Sequence, residues 1–113
     1  MSTDQRFYPT NVENRTLDSK LLEVDFDYQR MAKDKEVEEI IKHFNPCLVN
    51  DIKGSFRDGK YYVIDGQHTL AALRKMNGGN HLLVRCKAYY GLTKEQEAQM
   101  FLDQNGYVSS IYW

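Results

Sequence analysis

The sequence contains no stretch near the roughly 20 consecutive apolar residues that a membrane-spanning helix needs. Its apolar runs, such as Leu82-Leu83-Val84, stay far shorter. The opening residues, Met1 to Phe7, hold no apolar segment of the signal-peptide kind. Membrane and secreted readings are excluded on these grounds, and a cytoplasmic protein is expected. There is no Cys-x-x-Cys unit: Cys47 and Cys86 lie far apart, and without an export signal they read as buried thiols. Neither sign of charge prevails, since 15 basic and 16 acidic residues leave a net charge of −1. Internal repeats and low-complexity linkers are also missing.

What is present is ordinary globular composition, 113 residues of which 42% are hydrophobic and 27% charged. That length supports one core without metal or disulfide staples. Residues 16–113 are expected to form it, after a loose polar arm over 1–15. The charges are unevenly spread along the chain. Residues 13 to 39 hold nine acidic and five basic side chains, whereas residues 52 to 94 hold eight basic and two acidic ones. A localised basic half suits an anionic ligand. The plain alternative is a surface on which these charges mix in three dimensions.

Periodicity predicts the elements. Leu22, Val24, Phe26 and Tyr28 alternate with Glu23, Asp25 and Asp27, the period of a half-buried strand with an acidic outer face. Asp34 can cap a helix whose apolar stripe is Val37, Ile40, Ile41 and Phe44; Asn45-Pro46 ends it. Strands over Cys47–Phe56 and Tyr61–Ile64 flank Asp58-Gly59, a hairpin signal because both central residues of a type I′ turn need positive φ. His68 to Met76 reads as a helix broken by Asn77-Gly78-Gly79-Asn80, and His81 to Tyr90 as a strand that Gly91 ends. Thr93 and Gln96 have capping-box spacing before a last helix with Ala98, Phe101 and Leu102 on its apolar face. The expected fold is α+β, a small mixed sheet with three helices. The aromatic tail, Tyr107 to Trp113, points to a chain that continues past 113 or to a tail that docks on a partner or a second copy.

The chemistry concentrates in Val63-Ile64-Asp65-Gly66-Gln67-His68-Thr69-Leu70. A strand ends in Asp-Gly and polar residues open a helix. The first N–H groups of a helix lack internal partners and carry the positive end of its dipole, so such a turn can hold a phosphate. Gly66 would let the backbone approach, Gln67, His68 and Thr69 would supply donors, and Asp65 would orient His68 or hold a metal. The plainer alternative makes Asp65 an N-cap and His68 a solvent-facing residue. His43 and His81 stand alone on their elements and read as structural or exposed.

Four boxes in order make the sequence resemble the ParB/sulfiredoxin superfamily, in particular the ParB-like domains of bacterial, phage and mobile-element proteins. They are Tyr28-Gln29-Arg30, the helix from Asp34 with the Asp58-Gly59 hairpin, Asp65-Gly66-Gln67-His68, and Leu92 to Ala98 leading to Phe101 and Asn105. The resemblance implies a ParB N-terminal/sulfiredoxin-like domain that closes around a nucleotide or nucleic-acid phosphate. In ParB that nucleotide is CTP with magnesium, so CTP or ATP with Mg2+ and association with DNA are the implied partners. By carry-over, Gln29, Arg30, Gly66, Gln67, His68 and Thr69 line the phosphate site. Relatives described as nucleases or kinases imply a second reading, in which His68 is a catalytic acid/base and Asp65 its partner or a metal ligand with Asp103 or Asn105. A dedicated metal site made of protein ligands alone is not expected.

Three departures from the family pattern matter. Thr69 stands where arginine is usual, which removes the strongest phosphate ligand; Arg74, further along the helix, is the candidate replacement. Gln67 stands where sulfiredoxins carry their reactive cysteine, which argues against that chemistry. No helix-turn-helix is present. The missing arginine also keeps open a third reading, an interaction module that has kept the fold and lost its ligand.

Overall fold

Five strands form one mixed sheet in the computed structural model, which describes residues 11–104. They are β1 (Asn11–Asp18), β2 (Leu22–Glu23), β3 (Ile52–Arg57), β4 (Lys60–Asp65) and β5 (Leu83–Tyr90), in the spatial order β1-β5-β3-β4-β2. β5 runs antiparallel to β1 and parallel to β3, while β4 runs antiparallel to β3 and parallel to β2. Three helices, α1 (Asp34–Lys42), α2 (Gln67–Asn77) and α3 (Lys94–Gln104), complete the expected α+β fold.

Alternation along β3 assigns the two faces. Ile52 joins Leu17, Leu22, Val63, Leu70, Val84, Cys86 and Ala88 in the core on the α2 side, and α1 packs on α2. Ser55 and Arg57 point the other way and bond to Glu97 of α3. The hairpin between β3 and β4 has φ of 54° at Asp58 and 82° at Gly59, as the type I′ turn requires. At α3 the capping box forms, with the Gln96 amide donating to Thr93 Oγ1 at 3.1 Å and the Thr93 amide to Gln96 Oε1 at 2.9 Å.

Several sequence expectations change. Residues 11 to 15 are not a loose arm but the first part of β1, whose ladder with β5 runs unbroken; its side chains are mostly polar because it is an exposed end strand. Residues 1–10 and 105–113, which include Asn105 and the tail Tyr107 to Trp113, lie outside the described residues. The acidic strand stops after Glu23, because the Asp25 carboxylate accepts the Asp27 amide at 2.9 Å and closes a turn. The same short-range competition delays β3: Asn45 accepts the Cys47 amide at 2.9 Å and a 3-10 turn, Pro46–Leu48, replaces the start of the expected strand. Cys47 is consequently exposed, and only Cys86 is a buried thiol. Asp34 is the first residue of α1 rather than its cap, a place held by Lys33 without a side-chain bond.

The charge asymmetry is neutralised within the molecule. Lys75 pairs with Glu38, Lys94 with Asp27, and Arg57 with Asp25, each joining the basic half to the acidic one. Among the described residues, no helix is long and apolar enough to cross a membrane. Burial pushes the Cys86 thiol up to about 11. Thiol titration of the native protein at pH 8 should therefore modify Cys47 within minutes, with Cys86 reacting only once denaturant is added.

Candidate functional site

The site is built where β4 hands over to α2. The β3–β4 register shifts at Lys53/Gly54, so Lys53 lies opposite Asp65 while Gly54 lies opposite Val63. An irregularity of this kind turns the strand end and re-aims its side chains. Gly66 then adopts φ of +102°, and a Cβ there would come within 2.8 Å of Ile52 Cδ1. The positive φ demands glycine, while the close neighbour is the terminal methyl of the Ile52 side chain. α2 starts at Gln67 with no side-chain cap and no acidic residue in its first turn. Asp65 therefore does not cap the helix. The N–H groups of Gln67, His68 and Thr69 precede the first intrahelical bond, from the Leu70 amide to the Gly66 carbonyl at 2.8 Å, and present the positive end of the dipole.

This turn forms one wall of a cavity of about 680 Å³. The opposite wall is the segment Tyr28 to Lys33, and Phe101 and Leu102 of α3 close an apolar side. All of the sequence-nominated residues, Gln29, Arg30, Asp65, Gly66, Gln67, His68 and Thr69, line it. Their situations differ. Gln29 is buried, and its Nε2 donates to the Val63 carbonyl at 2.8 Å, so it pins its segment to β4. Arg30, next to it, is exposed and carries no ion pair with any described residue.

His68 is held from α1, not from Asp65. Its Nε2 lies 3.2 Å from Glu36 Oε2 and 3.3 Å from the Lys33 amide nitrogen. A single nitrogen either accepts from that amide or donates to that carboxylate, so both contacts hold the ring towards α1. Asp65 cannot take this role because His68, one residue into the helix, faces α1. Arg74 does not replace the missing arginine. Its guanidinium donates to the Ser19 and Leu22 carbonyls at 2.5 and 3.0 Å, which ties α2 to the turn before β2. Asp103 accepts from Gln99 on its own helix, and no group of three or more His, Cys, Asp or Glu suited to a metal ion occurs among the described residues.

One feature went unread in the sequence: Glu97 is completely buried. Its carboxylate accepts from Ser55 Oγ at 2.8 Å, from Arg57 Nε at 2.8 Å and from Tyr28 Oη at 3.2 Å. Arg57 also donates to Asp25 at 2.7 Å and stacks over the Tyr62 ring at 4.1 Å. The bond to Glu97 raises the Arg57 guanidinium further, and burial followed by Glu97 pushes the Tyr28 phenol up. This cluster clamps the 25–28 loop to α3 and β3, and so aims Gln29 and Arg30 at α2. Its signal in the sequence is an acidic residue on the apolar stripe, four residues before Phe101 and adjacent to Ala98. Glu36 left none.

Comparison with known proteins follows the same lines. Residues 25–112 match a family of unknown function, DUF6551. No curated protein matches the sequence. Among solved structures, the fold is similar to the chromosome-partitioning protein ParB from Caulobacter crescentus, complexed with CTP-gamma-S (TM-score 0.66, 14% identity, 82% of this chain and 52% of that one). It is similar to sulfiredoxin from Arabidopsis thaliana (TM-score 0.57, 25% identity, 78% and 96%). A pNOB8-like ParB N-domain gives a TM-score of 0.64 at 15% identity over 88% of this chain and 37% of that one. The chain thus spans about half the length of the Caulobacter structure. The ParB/sulfiredoxin-like fold is shown by these likenesses.

Two expectations follow from the geometry. Glu97→Ala leaves Arg57 and Ser55 without their buried partner and should cost about 3–5 kcal/mol in urea unfolding, and Gly66→Ala about 1–3 kcal/mol from strain at positive φ. Asp25 gives a pH dependence. Burial raises its carboxyl, but the Asp27 amide and Arg57 outweigh burial and hold it below its ordinary 3.8. The stability it contributes is complete above 3.8 and is lost as pH falls through the lower folded-state value. Unfolding measured between pH 6 and pH 3 should show a shallower acid loss in Asp25→Asn than in the wild type.

Proposed function

The chain belongs to the DUF6551 family, a family of unknown function, and from that premise we propose that its cavity binds a nucleotide through its phosphates. The observation that carries this reading is the pairing of an uncapped helix N-terminus with a free cation: the first turn of α2 faces the same cavity as Arg30, which has no ion pair among the described residues. Phosphate oxygens would accept from the Gln67, His68 and Thr69 amides, with the Thr69 hydroxyl as a further donor and Arg30 supplying the charge that Thr69 lacks. The similar ParB structure holds CTP-gamma-S, which supports CTP first and ATP second as the ligand. Asp65 and Glu36 are the carboxylates of the cavity. They suit Mg2+, which takes one or two carboxylates beside phosphate oxygens; bound there, it would neutralise phosphate charge. In this reading the protein is a ParB-like, DNA-associated domain of the Asp-Gly-Gln-His type, working in the cytoplasm.

A second reading, phosphoryl transfer or phosphodiester cleavage in the same cavity, is favoured by one contact. The His68–Glu36 pair at 3.2 Å resembles an imidazole with its orienting carboxylate. It gives His68 the acid/base role and Glu36 the supporting one that Asp65 was expected to play.

A thermal-shift panel with CTP, ATP, GTP and ADP, each with and without magnesium, tests both. A nucleotide at about a hundred times its dissociation constant adds about 2.7 kcal/mol, a rise of many degrees for a domain of this size. The expected result is a shift with CTP or ATP that Arg30→Ala removes and His68→Ala, which keeps the backbone amide, leaves in place. A flat panel overturns the reading. Magnesium-dependent turnover lost in His68→Ala, with binding retained, would establish the second.

A further inference from the structure

Among the described residues β1 is an end strand of the sheet and presents a long, regular edge. Asn11–Asp18 pairs with β5 without a register shift, and residues 11 to 16 are exposed. Sheet proteins ordinarily blunt such an edge with lysine, proline, a bulge or a very short strand. The opposite edge obeys that rule, since β2 has only two residues. β1, with the sequence Asn-Val-Glu-Asn-Arg-Thr-Leu-Asp, has no lysine, proline or bulge, and its charged side chains, Glu13, Arg15 and Asp18, are of both signs.

Its sequence is instead complementary to itself. Two antiparallel copies meeting at this edge are related by a two-fold axis normal to the sheet, and opposed side chains must share a face. The axis therefore passes through a pair of identical residues. Centred on Asn14, the pairing sets Glu13 against the partner's Arg15, Arg15 against the partner's Glu13, and Val12 against the partner's Thr16. It also uses the strand from Asn11 to Leu17. Centred on Glu13 or on Arg15, it opposes like charges, which disfavours those registers.

The charged tips are already arranged for this. Arg15 Nη1 donates to Tyr90 Oη at 3.1 Å and lies 3.4 Å from Glu13 Oε1. Both side chains remain about half exposed, at 46% and 57%. Tyr90 holds the guanidinium along the sheet face, and the loose bond to Glu13 can be exchanged for one across the axis.

We infer that β1 is the interface of a two-fold homodimer in which two five-stranded sheets join edge to edge into one. The cavity is lined by residues of the 28–36, 64–69 and 101–102 segments, none of them on β1, so dimerisation and nucleotide binding are separable. Sedimentation of the full chain over a concentration series should give a mass moving from 13.3 kDa towards twice that value. Arg15→Glu and Glu13→Arg should each weaken self-association by about tenfold or more. An equimolar mixture of the two should recover it, because each then meets opposite charges, and the double variant should recover it in one chain. Recovery on mixing also establishes that both single variants are folded. Amide exchange of the wild type needs no variant: protection of β1 amides should rise with concentration. A wild type that stays monomeric throughout, single variants that associate as tightly as wild type, or β1 protection independent of concentration would each overturn the proposal.

Discussion

The buried carboxylate of Glu97 is the constraint from which the rest of the arrangement follows. A charge taken fully out of water is tolerable only if its oxygens are paired and hydrogen-bonded. Here Ser55 and Arg57 from β3 and Tyr28 from the loop after β2 all converge on it. Arg57 passes the constraint on to Asp25, and Asp25 closes the turn that halts β2 after two residues. The loop is thereby held against α3 instead of continuing along β4, and Gln29 can reach the Val63 carbonyl. A cluster on one face of the sheet thus determines where Arg30 stands at its C-terminal edge.

From the other side the cavity depends on Gly66. Its positive φ is strained for any residue with a side chain, and the turn it permits starts α2 without a cap. Most helices satisfy their first amides with a serine, threonine or aspartate. Here they open instead towards a cavity that Arg30, without an ion pair among the described residues, also lines. The apolar side made by Phe101 and Leu102 gives the same cavity a surface for an uncharged ligand portion.

The basic half of the sequence contributes less to this cavity than its arithmetic suggests. Lys75, Lys94 and Arg57 are neutralised by carboxylates of the acidic half, and Arg74 is taken up by backbone carbonyls. Arg30 and Lys33, which line the cavity without an ion pair among the described residues, come from the acidic half. Charge blocks along the chain therefore served to bind the two halves to each other, and the candidate ligand site is a local exception to that pairing.

Elements whose signals are local were legible without coordinates. Asp58-Gly59, the Thr93–Gln96 box and the passage from strand through Gly66 to helix each depend on residues within a few positions of one another, so turn and cap chemistry identifies them. The ordered Gln29-Arg30 and Asp65-Gly66-Gln67-His68 boxes likewise marked the residues that meet in the cavity. Where a side chain's partner is distant in sequence, local pattern carries no information about it. Nothing near His68 announces Glu36, nothing near Glu97 announces Arg57, and polar β1 becomes a strand only because β5 is there to pair with it. Local pattern was enough for the α+β class, the turn chemistry and the residues that line the cavity. Which carboxylate faces His68, that Arg74 is taken up by carbonyls while Arg30 has no ion pair among the described residues, and which strand edge lies open among them depend on folding, because each is a competition among groups that only the tertiary structure brings within bonding distance.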